Sequence, residues 1–153
     1  MEIPGHPGYQ IMNLVCDVNG TLALDGELLP DVLPAILLLK QQVAIHMLTA
    51  DTHGRQVEHA KTLGVSSTIL TPGHEAEQKA AFVRSLGRES TAAIGQGAND
   101  AAMLKEASLG ICVLSVEGVA IQTLLAADIV VPDIRSAFEL LLKPLRLIAS
   151  LRR

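Results

Sequence analysis

Three features of this chain have the residue types and spacing to handle phosphate. The first is the stretch Leu14–Thr21, LVCDVNGT, in which an apolar run ends on Asp17 and a short turn with Gly20 follows. Such a turn exposes backbone N–H groups that can cradle an anion, and Thr21 adds a hydroxyl. An ionised aspartate at that place can attack phosphorus and form an acyl phosphate. Attack by one anion on another requires neutralising charge, which points to Mg²⁺ and a lysine. The second feature is Lys79 in EAEQKAAFVRSLG. The third is GQGAND, Gly95 to Asp100, where Asn99 and Asp100 are hard oxygen donors suited to Mg²⁺. GQGAND has the first two glycines of a dinucleotide fingerprint, but Asp100 stands where the third belongs and would repel a pyrophosphate.

Each residue also has a plainer reading. A carboxylate at a strand end is often a turn former or helix cap. Thr49 could hold a phosphate oxygen, and equally could cap the helix beyond it. A helical lysine is usually solvated. The combination favours the chemical reading.

Positioning these residues requires strand ends. Ile11–Val18 and Val43–Thr49 are short apolar runs typical of strands buried on both faces. Further strands are expected at 67–70, 91–95, 110–114 and 129–131. Helices are expected from Pro30 to about Gln42, at 53–63 capped by Asp51 or Thr52 and closed by Gly64, and at 75–86, 100–107, 119–127 and 134–151. Residues 20–29 suggest a small hairpin and residues 1–10 an irregular lead-in. Strands alternating with helices predict a three-layer, doubly wound, mostly parallel sheet in a single Rossmann-like domain over 1–153. In such sheets ligands bind at the carboxyl ends of the strands. Asp17, Thr49 and GQGAND all fall there.

Composition excludes several classes. Of 153 residues, 49% are hydrophobic and 18% charged, which describes a buried aliphatic core rather than a disordered chain. Aromatics are only 2%, too few to build a stacking platform for single-stranded nucleic acid, and a net charge of -4 disfavours nucleic-acid binding generally. The two cysteines, Cys16 and Cys112, lie in apolar runs and suit a reducing cytoplasm. No signal-peptide pattern or membrane-length apolar run is read, so a soluble protein is expected. The histidines at 6, 46, 53, 59 and 74 show no metal spacing, and His46 reads as a hydrogen-bonded core residue. Phe138, Leu141, Leu142, Leu145 and Ile148 form an apolar stripe that should cover the sheet.

In order and spacing the set resembles the haloacid dehalogenase-like (HAD) superfamily of phosphatases and phosphotransferases. Asp17-Val18-Asn19-Gly20-Thr21 is similar to that family's first motif and Leu48-Thr49-Ala50-Asp51 to its second. Lys79 matches the third, and Gly95 to Asp100 with Ala101-Ala102-Met103-Leu104 the fourth. The likeness covers roughly residues 11–135 and is greatest to soluble relatives of P-type ATPase phosphorylation domains. It implies a capless HAD-like fold, because 22–47 and 52–78 are too short for a cap domain.

The resemblance also implies roles. Asp17 would be the nucleophile and a Mg²⁺ ligand. Asn19 would offer the metal its backbone carbonyl, and Thr49 would bind phosphate. Lys79 would neutralise charge, and Asp100 would support the metal. The implied catalytic set is Asp17, Asn19, Thr49, Lys79 and Asp100. The binding set is Asp17, Asn19, Gly20, Thr49, Ala50, Lys79 and Asn99, and the metal set Asp17, Asn19, Gln96 and Asp100. The expected partner is a phosphorylated substrate, with an open site admitting a large one or a lid lent by a neighbouring subunit.

Two positions depart from the pattern. Family phosphatases carry an aspartate at the position of Asn19, and losing a general acid/base costs ~10²–10⁴-fold in rate. The position of Gln96 is normally an acidic metal ligand, so Mg²⁺ should bind more weakly. Slow phosphohydrolysis is the leading expectation. A weak or inactive phosphate-binding, regulatory or assembly module is the alternative.

Overall fold

A computed structural model describes residues 8–50 and 54–152. Its centre is a six-stranded, all-parallel sheet built from β1 (Asn13–Asp17), β4 (Ala44–Thr49), β5 (Ser66–Ile69), β6 (Thr91–Gly95), β7 (Leu109–Val113) and β8 (Ile129–Val131). The spatial order is β5-β4-β1-β6-β7-β8, with a separate two-stranded hairpin of β2 (Ala23–Leu24) and β3 (Glu27–Leu28). The chain winds outward from β1 in both directions. The central register pairs Asp17 with Leu48 and Cys16 with Ile94. The ends of β1, β4 and β6 are therefore level, and Asp17, Thr49 and Gly95 reach one edge together.

Seven helices accompany the sheet among the described residues: α1 (Val32–Leu39), α2 (Gln56–Leu63), α3 (Glu75–Leu86), α4 (Ala101–Glu106), α5 (Ile121–Ala126), α6 (Ile134–Leu142) and α7 (Pro144–Leu151). Side chains on β1 point alternately to opposite faces. Leu14 and Cys16 join Ile36, Leu39 and Phe138 in one core layer, while Val15 joins Val83, Met103 and Leu104 in the other. Covering both faces explains the unbroken apolar strands. Each fully buried leucine or isoleucine contributes about 1.5–3 kcal/mol relative to exposure.

Helix α3 shows how sequence sets the presentation of a site residue. Glu75 and Glu77 stand in its first turn and Arg84 in its last, matching the helix dipole. The Gln78 side chain donates to the Thr71 and Gly73 carbonyls and accepts from the Thr71 amide, fixing the entry of the helix. Ala80 and Val83 are buried, and Lys79 is carried inward with them.

Several boundaries differ from expectation. The last helix is two helices, broken at Lys143, whose backbone leaves the helical region at φ -125° and ψ 72°. Pro144 has no N–H to continue the ladder and disfavours helical geometry at the residue before it. The break shifts the apolar stripe, so Leu147 is buried and Leu145 is 80% exposed. Helix α1 begins at Val32 rather than Pro30. Helix α2 begins at Gln56, and Asp51, Thr52 and His53 lie outside the described residues. His46 is half-buried, with Nδ1 2.8 Å from Ser66 Oγ, but its Nε2 is buried without a partner. Residues 22–47 hold only the hairpin, α1 and the start of β4, and the described part of 52–78 only α2, β5 and the first turn of α3, so no cap domain is built there.

Candidate active site

Lys79 is the hub of the site. Its Nζ stands 2.6 Å from Asp17 Oδ1 and 2.6 Å from Asp100 Oδ1, with Asn99 Oδ1 at 3.3 Å. The lysine is 1% exposed, Asp17 7% and Asp100 0%. Two carboxylates from different strand ends are thus bridged by one buried ammonium. An ion pair taken out of water loses its hydration, and only close hydrogen bonding makes it tolerable.

Asp100 is locked on its other side. Its Oδ2 accepts from the backbone amides of Gln96 and Gly97, each at 3.0 Å. This folds GQGAND into a tight loop ending in a short 3₁₀ turn, Ala98–Asp100. The loop needs Gly95, because a Cβ there would lie 2.6 Å from the Asp100 carboxyl.

The turn after β1 differs from a phosphate nest. The amides of Thr21, Leu22 and Ala23 donate to the Val18 carbonyl, and the Gly20 amide donates to Ala23. These N–H groups are used within the turn and do not face the cavity. The Thr21 hydroxyl donates to Asp17 Oδ2 at 3.1 Å, so it orients the carboxylate.

A cavity of about 360 Å³ opens beside Asp17. Asn19, Thr49, Ala50, Lys79, Gln96 and Asn99 line it with Asp17. Asn19 Nδ2 donates to Thr49 Oγ1 at 3.3 Å, which ties the β1 and β4 ends together. Thr49 does not cap α2, whose N-terminal flank is Arg55. Of the residues expected from sequence, Gly20 and Asp100 do not line this cavity. A larger groove, about 530 Å³, lies between α3 and α4. Its Arg84, Arg88 and Glu106 are committed to ion pairs, and it lies by the amino ends of β6 and β7, away from the carboxyl edge.

Burial pushes the Asp17 carboxyl up to about 7, reinforced by the Asp100 carboxylate and opposed by Lys79 and the Thr21 hydroxyl. For Lys79, burial works against the charge, but Asp17 and Asp100 together outweigh it and raise its pKa. The site therefore keeps a permanent cation next to a carboxylate that titrates near neutrality. Burial also raises the thiols of Cys16 and Cys112, which leaves both inert.

Among the described residues no group of three or more His, Cys, Asp or Glu clusters as a metal site. Asp17, the Gln96 amide and the Asn19 backbone could supply hard oxygens of the kind that suit Mg²⁺ or a similar cation. Asp100 braces the loop through Oδ2 and meets Lys79 through Oδ1.

Chemically, this arrangement can hold an anionic tetrahedral group against Asp17 while Lys79 offsets charge. Two features were missed from sequence. The orienting bond from Thr21 had no signal beyond its hydroxyl. Glu117, whose Oε2 approaches Gly20, sits in the unremarkable segment SVEGVA.

No family model matches this sequence. An uncharacterized protein of Methanocaldococcus jannaschii is 53% identical over 60 residues, which is 39% of this chain and 64% of that protein's length. Among solved structures, 3-deoxy-D-manno-octulosonate 8-phosphate phosphatase of Moraxella catarrhalis, in complex with magnesium, phosphate and its sugar, matches with a TM-score of 0.73 at 21% identity, covering 94% of this chain and 95% of its own. The cobalt-bound phosphatase of the same substrate from Haemophilus influenzae matches at 0.69 and 16%, covering 92% and 90%. A Legionella pneumophila protein assigned to the HAD superfamily hydrolases, subfamily III A, matches at 0.73 and 18%, covering 92% and 86%. At these identities the likeness speaks for architecture. The chain has the capless HAD-like fold, with Asp17, Thr49, Lys79 and the Asp100 loop together at the carboxyl edge of its sheet.

Proposed function

We propose that this protein is a Mg²⁺-dependent phosphohydrolase acting through a phosphorylated Asp17, with slow turnover. The observation that carries the reading is the Lys79 ammonium held 2.6 Å from both Asp17 and Asp100 at the floor of an open cavity. An Asp17 oxygen attacks the phosphorus of a monoester, and the bond from phosphorus to the ester oxygen breaks. The leaving oxygen takes its proton from water, because Asn19 has none to give. Water then attacks phosphorus, releasing inorganic phosphate and the Asp17 carboxylate. Lys79 neutralises the carboxylate and phosphoryl oxygens throughout. Asn19, Gln96 and Asp17 would hold the divalent cation, which supplies further neutralising charge when bound.

The sugar-phosphate phosphatases among the structural neighbours support a phosphorylated sugar as the substrate class. A capless, open site accommodates a large substrate or a lid from a second copy. Among the described residues no helix is long and apolar enough to cross a membrane. Two inert buried thiols support a reducing compartment such as the cytoplasm, and a single domain is the simplest division of the chain.

Hydrolysis of an aryl phosphate with Mg²⁺ tests the reading. Wild type should exceed Asp17→Asn by at least about 10²-fold. Equal rates would rule out catalysis through Asp17. A second reading, a phosphate-binding module without turnover, is favoured by the paired Asn19 and Gln96. It predicts activity only in the double variant Asn19→Asp with Gln96→Asp. The likeness to P-type ATPase relatives adds an intermediate case, in which Asp17 is phosphorylated and the acyl phosphate persists.

A further inference from the structure

We propose that Glu117 is a positioning residue of the cation site, supplying from the loop after β7 the carboxylate that position 96 lacks. This rests on the reading of Asp17, Asn19 and Gln96 as the cation-binding set. The point where a Cβ on Gly20 would stand is 2.2 Å from Gln96 Nε2 and 2.5 Å from Glu117 Oε2. An amide nitrogen from one loop and a carboxylate oxygen from another thus converge over the bare backbone of Gly20. Any side chain at position 20 would displace both. Gly20 has φ +79°, so the turn itself also favours glycine there.

The loop carrying Glu117 is built onto the GQGAND loop. The Ala120 amide donates to the Gln96 carbonyl at 3.1 Å, and Thr123 Oγ1 donates to the Gly97 carbonyl at 2.6 Å. Within the loop, the Glu117 amide donates to Ser115 Oγ at 3.2 Å and the Gly118 amide to the Ser115 carbonyl at 2.9 Å. Glu117 is exposed and makes no ion pair among the described residues. Its charge is therefore not neutralised by a neighbouring cationic side chain.

A primary amide has a donor end and an acceptor end. A carboxylate beside Nε2 holds the N–H groups toward itself and leaves Oε1 as the end that meets a cation. Gln96 and Glu117 together thus restore the negative charge that an aspartate at 96 would bring. Glu117 acts through Gln96 and touches no reacting atom.

Mn²⁺ binding to the full chain, followed by titration calorimetry and by the electron paramagnetic resonance of free Mn²⁺, tests this. Four proteins are compared: wild type, Glu117→Gln, Gln96→Asp and the double variant. Glu117→Gln should weaken Mn²⁺ binding about 10-fold. In the Gln96→Asp background the same change should cost less than about twofold, because no amide remains to orient. Glu117→Gln binding within about twofold of wild type overturns the proposal. So does an equal loss in both backgrounds, which would mark diffuse electrostatics. Failure of the cation site itself reads differently: wild type binds no Mn²⁺, or Asp17→Asn leaves binding unchanged, and the proposal falls with it.

Discussion

The Lys79 ammonium sits 2.6 Å from Asp17 Oδ1 although the two residues are 62 positions apart and lie on different elements, α3 and β1. The pair is nearly sealed from solvent, and the same ammonium serves Asp100. One cation thus stabilises two buried anions, which makes its loss unusually costly.

Lys79→Met should destabilise the fold by about 3–5 kcal/mol, since it leaves two carboxylates facing each other with no counter-charge. Urea unfolding at neutral pH measures this. Restoring part of that stability by lowering the pH to about 5, where Asp17 can protonate, would identify the mechanism. A loss below about 1 kcal/mol would show that the pair is hydrated.

Asp17 carries the opposite linkage. Its folded-state pKa, about 7, lies well above the ordinary aspartate value of 3.8. At low pH the carboxyl is protonated in both states and contributes nothing. As pH rises the unfolded chain ionises it first, so stability falls until about pH 7 and then stays level. Asp17→Asn removes this cost. The melting temperature of the variant should gain on wild type between about pH 5 and pH 8, by the equivalent of roughly 2 kcal/mol. A difference that does not change with pH would mean that burial does not raise this carboxyl.

Gly20→Ala places a methyl group 2.2 Å from Gln96 Nε2 on a backbone at φ +79°. The strained backbone should cost about 1–2 kcal/mol, and the displaced Gln96 should weaken Mn²⁺ binding. Chemical denaturation and the Mn²⁺ titration read the two effects separately. Retention of both stability and affinity would show that the turn and the cavity are uncoupled.

Much of this was legible in the chain. Five of the six strands follow from short apolar runs, while β5 is the polar edge strand Ser66–Ile69, and α3 was readable to the residue because its charges, apolar spacing and closing Gly87 agree. The shared edge followed from strand ends alone. Other features depended on tertiary packing. A lysine on a helix reads as solvated, and only the convergence of β1 and the GQGAND loop makes Lys79 a buried hub. The turn at Gly20 suggested free amides, yet Val18 and Ala23 take them up. Pro144 did announce the helix break, but the apolar stripe on either side of it masked the signal. Glu117 lies in a polar loop whose sequence has no periodicity, and its approach to Gly20 exists only once β7 is placed beside β6.

The central claim is that Asp17 accepts a phosphoryl group. Incubating the protein with Mg²⁺ and radiolabelled acetyl phosphate, quenching in acid and mapping the label tests it most directly. A hydroxylamine-sensitive acyl phosphate is expected on Asp17, absent in Asp17→Asn and longer-lived in wild type than in Asn19→Asp. No label on Asp17 in any of these proteins, or label that survives Asp17→Asn, would contradict it.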